Sequence, residues 1–231
     1  KQLLGAVKEI LGDAATPDIM EAWLEAYQFL AHLFIVRERE IYDSAAAEDG
    51  GWRGWREFTV SEKREEGEKV ISLVLTPVNE EKVLVHKPGQ YVGLRLEIPG
   101  VGRVQRNYSL SSHGNGTNFG GKIHVSVPAG DFFLRDRNAP ICLIGAGIGI
   151  TPLVCIMEAL STDEAFTQAL HFLVVDKAPT LSLHKDIAAL AEKKENVSVG
   201  FHATNANGRP TEEDYKRLLP QDDATHYYFC G

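Results

Sequence analysis

The sequence predicts a multi-domain protein: two N-terminal helices, then an antiparallel Greek-key β-barrel, then an α/β domain on a parallel sheet. Three observations carry this. Apolar residues recur at helical spacing as far as about Tyr42. From Phe58 to Val127 they form short β-branched or aromatic runs divided by turn residues. Beyond Pro140 strand-like and helix-like stretches alternate, which is the wiring of a parallel sheet. The 231 residues exceed the usual size of one domain and divide as 1–48, 49–137 and 138–231.

Leu3, Leu4, Val7, Ile10 and Leu11 make the first helical stripe, and Gly12 with Asp13 ends it. Thr16 is placed to cap a second helix, with Pro17 suited to the first turn and Asp18 to its positive end. Ile19, Trp23, Tyr27, Leu30 and Phe34 line one face of it. Glu38 falls four residues after Phe34 and so on the same stripe, whereas Glu40 points away. A carboxylate there is costly unless it is hydrogen-bonded or the helix end leaves it in water. Asp43 to Gly51, small and acidic, reads as a linker.

Strands are expected at Phe58 and Val60, Val70–Leu75, Val83–Val85, Tyr91–Ile98, Tyr108–Leu110 and Ile123–Val127, a spacing that suits a barrel or sandwich. The α/β part reads as strand 141–144, helix 152–160, strand 170–175, helix 183–193 and strand 197–201. Thr211 and Asp214 form a capping box for a further helix, and 226–230 reads as a last strand. Ile141–Met157 is uncharged, but its glycines and Pro152 make it strand, turn and helix rather than a membrane span.

A net charge of −8 and a pI near 5.5 disfavour nucleic acid or an anionic membrane as the main partner. With 44% hydrophobic and 24% charged residues the composition is that of a soluble globular protein. The three cysteines, Cys142, Cys155 and Cys230, form no CxxC pair, so no structural metal is expected and a reducing, cytoplasmic setting fits. No leader is evident and residue 1 is a lysine, so the chain is expected to begin mid-protein.

Two motifs carry chemistry. In Arg106-Asn107-Tyr108-Ser109 the alternation of a strand puts Arg106 and Tyr108 on one face. A guanidinium fork matches a pyrophosphate, a tyrosine ring lies flat on a flavin, and Ser109 adds a hydroxyl. Pro88-Gly89-Gln90-Tyr91 upstream is a turn that delivers Tyr91 to a strand. The second motif, Gly147-Ile148-Gly149-Ile150-Thr151-Pro152, follows a buried-type strand and opens a helix. Its amides and dipole suit a pyrophosphate, with Thr151 as cap and Pro152 in the first turn. With isoleucine at position 150 it is not the GxGxxG fingerprint. Cys230 and Gly231 close the last strand, where a cysteine is equally at home as a buried residue. Asp176 favours a ribose hydroxyl and Lys177 a phosphate, so NADH and NADPH stay undecided.

The ordered pair of motifs resembles the ferredoxin-reductase family of flavoproteins. There the Tyr91 and Arg106–Ser109 equivalents hold FAD, and the Gly147–Pro152 turn with Cys230–Gly231 lies at the nicotinamide of NAD(P)H. The front end narrows the resemblance: 1–9, 22–27 and 37–42 look like the last two helices of a flavohaemoglobin globin. Gly50–Gly54 looks like the junction that follows, and Pro128–Phe133 is also similar to that family.

The resemblance implies FAD reduced by NAD(P)H and haem b reduced in turn by FAD, the dioxygen complex of the haem converting nitric oxide to nitrate. It implies a monomer acting on small molecules, with Glu38 in a catalytic relay with a tyrosine and the haem-ligating histidine. It places those haem ligands before Lys1, so no histidine here, His32 included, is assigned to iron. A basic segment with a helix between Val127 and Pro128, and an aromatic tail after Gly231, have no counterpart. A reductase of the same superfamily serving another acceptor, and an inactive fragment, are the rival readings.

Overall fold

The computed structural model describes residues 2–67, 70–79, 81–111, 121–177 and 182–231, and they form two compact units, Lys1–Glu48 and Asp49–Gly231. In the first unit α1 (Gln2–Leu11) and α2 (Pro17–Ala47) are joined by a 3-10 turn at Gly12–Ala14. Thr16 caps α2, its hydroxyl accepting from the amide of Ile19, and Pro17 occupies the first turn. The expected linker start is corrected here: the helix runs through Asp43 and Ser44 to Ala47, carried by three alanines of high helix propensity. By length and composition alone α2 is apolar enough to cross a membrane.

The second unit holds two sheets. Strands β1 (Trp55–Gly67), β2 (Val70–Pro77), β3 (Tyr91–Ile98), β4 (Gly102–Ser109) and β5 (Gly121–Ser126) form an antiparallel sheet in the order β2-β1-β5-β3-β4. Among the described residues β2 and β4 are its edges, so it is a half-barrel. Phe58, Val92, Leu94, Ile123 and Val125 make its core, with Trp52 and Val83 packed against them. Each such buried side chain contributes about 1.5–3 kcal/mol.

No strand forms at Val83–Val85. Arg56 ties that segment down instead, donating to the carbonyls of Glu81 and Lys82 at 2.9 Å each, while the amide of Leu84 donates to Gly50. The strand expected at Tyr108–Leu110 begins earlier, at Gly102, and ends at Ser109.

Beyond the sheet the chain builds β6 (Ile141–Ala146), α3 (Ile150–Thr162), β7 (Leu170–Asp176), α4 (Ser182–Ala191), β8 (Val197–Ala203), α5 (Thr204–Asn207), α6 (Glu212–Leu218) and β9 (His226–Cys230). The strands are parallel in the order β8-β7-β6-β9. Leu143, Leu153, Ile156, Met157 and Phe172 are fully buried between sheet and helices. The near-continuous apolar runs of β6 and β7 follow from burial on both faces. After β8 the chain returns to the far side of β6, so a switch of direction falls between β6 and β9. In open parallel sheets ligands bind at such a point, outside the carboxyl ends of the strands.

Candidate cofactor site

The carboxyl ends of β6 and β9 are where the glycine bend and the Cys230–Gly231 pair meet. Gly147–Gly149 form one 3-10 turn after β6, and Gly147 needs a positive φ of 52°. Gly149 has a second reason to be glycine. A Cβ there would lie 2.3 Å from the carbonyl oxygen of Cys230 and 2.5 Å from the amide nitrogen of Gly231. Gly231 is pressed on Ala146 in turn. Ile148 projects from the tip of the bend and is exposed.

The expected cap is corrected at this point. Gly149, not Thr151, stands before the first residue of α3, and the Thr151 hydroxyl donates back to the carbonyl of Ile148 at 3.0 Å. Pro152 sits in the first turn as expected, buried with Ile150. No side chain caps the helix start, and the amide of Ile150 donates back to the carbonyls of Gly147 and Ile148.

On the other sheet, β3 and β4 pair with Leu94 opposite Arg106, Val92 opposite Tyr108 and Tyr91 opposite Ser109. Directly opposed residues share a face. Arg106 and Tyr108 therefore continue the face on which β3 buries Val92 and Leu94. Because β4 is an edge strand, that face emerges there as an exposed ledge, with Tyr108 at 52%. Arg106 holds its guanidinium near the backbone by donating to the carbonyl of Gln105 at 2.8 Å.

The same register separates residues that the sequence grouped. Tyr91, Asn107 and Ser109 lie on the opposite face, with Gly93 between them and the Asn107 side-chain oxygen close by.

Tyr91 is part of a seam that sequence reasoning missed. Its backbone exchanges hydrogen bonds with Ala129 in both directions, and its ring lies so close to Gly130 that a Cβ would come within 2.8 Å. At Gly89, with φ of 105°, a Cβ would come within 2.8 Å of the carbonyl oxygen of Phe132 and 3.3 Å of Ile156 in α3. The amide of Leu134 donates to Pro88, and His86 meets Cys155 at 3.5 Å. The signal was the Pro-Gly dipeptide, which announced a turn but not what the turn leans on.

Asp176 accepts from the Lys177 amide at 2.7 Å and faces His184 at 3.5 Å. Burial pushes the Cys142 and Cys155 thiols up to about 12 and about 11. Glu38 lies well inside α2 on an exposed position, nine residues before the helix ends. No group of three or more potential metal ligands occurs among the described residues.

An antiparallel half-barrel joined to a parallel sheet with a glycine bend at its switch point defines the ferredoxin-reductase-like class of flavin and nicotinamide folds. The whole chain aligns with the flavohemoprotein of Bordetella pertussis at 33% identity and covers 67% of it, and it belongs to the flavohemoprotein family. The flavohemoprotein of Pseudomonas aeruginosa is 36% identical across 99% of the chain. That match extends over 263 aligned positions, so the relative has residues with no counterpart here, and the chain spans 65% of its length. Residues 143–231 match the family described as oxidoreductase NAD-binding domain.

Among solved structures, flavohemoglobin from Malassezia yamatoensis, with bound FAD and heme, superposes over 99% of this chain and 73% of its own. The TM-score is 0.74 at 21% identity. The FAD/NAD-binding domain of nitric oxide dioxygenase from Vibrio cholerae covers 77% of the chain and 87% of its own, with a TM-score of 0.65 at 25% identity.

Proposed function

We propose that the second unit is the reductase part of a flavohaemoglobin, taking electrons from NAD(P)H into FAD. The observation that supports it is the pairing, in one compact unit, of the Arg106–Tyr108 ledge with the glycine bend at the switch point. The ledge fits a flavin dinucleotide: an exposed guanidinium, with nitrogens beyond the one bonded to Gln105, for the pyrophosphate and an exposed phenol ring for the isoalloxazine. Asn107, Ser109 and Tyr91 stand on the other face of the same strand pair, where their backbone or side chains can still reach the edge of the dinucleotide. The bend fits a nicotinamide dinucleotide, with the positive end of α3 for its phosphates and Cys230–Gly231 beside it. Bound FAD supplies the conversion of a two-electron hydride, given up by a dihydronicotinamide that becomes oxidised, into single electrons. The protein holds the two rings in line and excludes water.

In the complete protein those electrons serve nitric oxide dioxygenation, in which nitric oxide, dioxygen and one electron give nitrate. Glu38 acts there as a positioning carboxylate on α2. The haem belongs to the part of the family lying outside this chain.

Arg106→Ala tests the reading. The variant loses most of its FAD on gel filtration while its unfolding midpoint stays within about 0.5 kcal/mol of the parent, as for an exposed substitution. Unchanged flavin content would remove the pyrophosphate assignment. Glu38→Gln in the full-length protein slows nitric oxide consumption and spares NADH-driven ferricyanide reduction; equal loss of both activities would end the proposed role.

A further inference from the structure

Hydride transfer depends on the height of the nicotinamide above the flavin, so whatever fixes β9 against the flavin-side strands matters to the rate. Tyr228, the third residue of β9, is part of that fixture. It pairs with Leu143 of β6 and packs against the core of the parallel sheet. Its hydroxyl reaches out of that core and accepts a hydrogen bond from the amide of Arg135 at 3.1 Å. Its ring meets Phe132 edge-on, with centroids 6.3 Å apart and planes at 83°.

Phe132 and Arg135 belong to the connector between the two sheets, and that connector also touches the flavin side. Ala129 is hydrogen-bonded to Tyr91 in both directions. The Phe132 carbonyl presses on Gly89, and Leu134 donates to Pro88. Tyr91 starts the strand whose next residue, Val92, stands opposite Tyr108. Going the other way along β9, two residues after Tyr228 the carbonyl of Cys230 rests against Gly149. One connector thus touches the flavin-side strand at one end and the nicotinamide-side strand at Tyr228.

We infer that Tyr228 is a positioning residue for hydride transfer: through Arg135 and Phe132 it sets the height of Cys230–Gly231 and the glycine bend relative to the Arg106–Tyr108 ledge. It acts through the backbone of β9, and the inference rests on the NAD(P)H-to-flavin reading above.

The test uses the full-length, FAD-loaded protein with Tyr228→Phe, which removes only the hydroxyl, and Tyr228→Leu, which also removes the edge-on ring contact. Each is mixed anaerobically with NADH or NADPH in a stopped-flow instrument, reading the flavin reduction rate, its half-saturation, and the long-wavelength charge-transfer band of reduced flavin with oxidised nicotinamide. Misplacement by 1 Å costs about a hundredfold in rate, so a smaller displacement in Tyr228→Phe slows reduction roughly tenfold. Half-saturation and FAD content stay as in the parent, and the charge-transfer band weakens; Tyr228→Leu goes further in the same direction. Parental rates with a full charge-transfer band in Tyr228→Phe overturn the inference, as does a loss confined to half-saturation. If the parent itself is not reduced by either nucleotide, the functional reading falls and this one with it, an outcome the parent alone reveals.

Discussion

A methyl group distinguishes the two glycines of the bend. At Gly149 an added Cβ would collide with the backbone of Cys230 and Gly231 at 2.3–2.5 Å, and backbone cannot rotate aside. Gly149→Ala is expected to cost about 1–3 kcal/mol by overpacking and to raise the NADH half-saturation, because β9 must shift. At Gly147 nothing lies within 4 Å of the added atom and only the φ of 52° opposes it. Gly147→Ala should therefore cost about 1–2 kcal/mol and leave half-saturation nearly unchanged. Urea unfolding and nucleotide titration check both, and equal effects on nucleotide use would refute the distinction. The thiols offer another residue-level test. Cys142 and Cys155 are buried with raised pKa values, so at pH 8 they should resist iodoacetamide in the folded protein while the partly exposed Cys230 reacts. Intact-mass counting of adducts would show it. At this scale the alternation of a strand was enough to place Arg106 and Tyr108 together. That Tyr91 lies on the other face was not legible, because it depends on how β3 and β4 align.

Elements differ in how much of themselves they announce. The capping box of α6 was readable from Thr211 and Asp214, and both reciprocal bonds are present. The Thr211 amide, then its hydroxyl, then Arg217, hold the Asp214 carboxyl down at about 2. A carboxylate depressed in the folded state stabilises above its unfolded pKa near 3.8 and loses that contribution as pH falls toward 2. The protection of the α6 amides, measured relative to their intrinsic exchange rates, should therefore fall between pH 4 and 2, and Asp214→Asn should abolish that fall; an unchanged slope in the variant would remove the carboxylate from the account. Other elements were hidden by their surroundings. Val83–Val85 has the composition of a strand, yet Arg56 takes the neighbouring carbonyls before a ladder can form. The helical Ala45–Ala47 was lost among small residues that read equally well as linker, and α5 is a single turn too short for any period to show.

On the scale of the whole chain, the two units differ in what they bury. None of the described residues of α1 or α2 is buried, whereas the second unit has two apolar cores. Residues 2–47 made alone should show helical circular dichroism that melts broadly, and residues 49–231 should give one cooperative transition. A sharp transition in the short piece would contradict this. The change of period near residue 50 and the alternation after Pro140 were legible because they reflect which faces must be dry. The seam through Gly89, Gly130 and Tyr228 was not, since its parts are far apart in sequence and each looks ordinary alone. That seam also bears on engineering. A chimera that takes its nicotinamide lobe from a relative, for example to change nucleotide preference, will inherit a mismatched hinge if the splice is made at the obvious gap before Ile141. A graft that moves 129–135 and the Pro88–Gly89 turn together with the donor lobe keeps donor surfaces in register, so the useful crossover points lie inside the half-barrel rather than between the lobes.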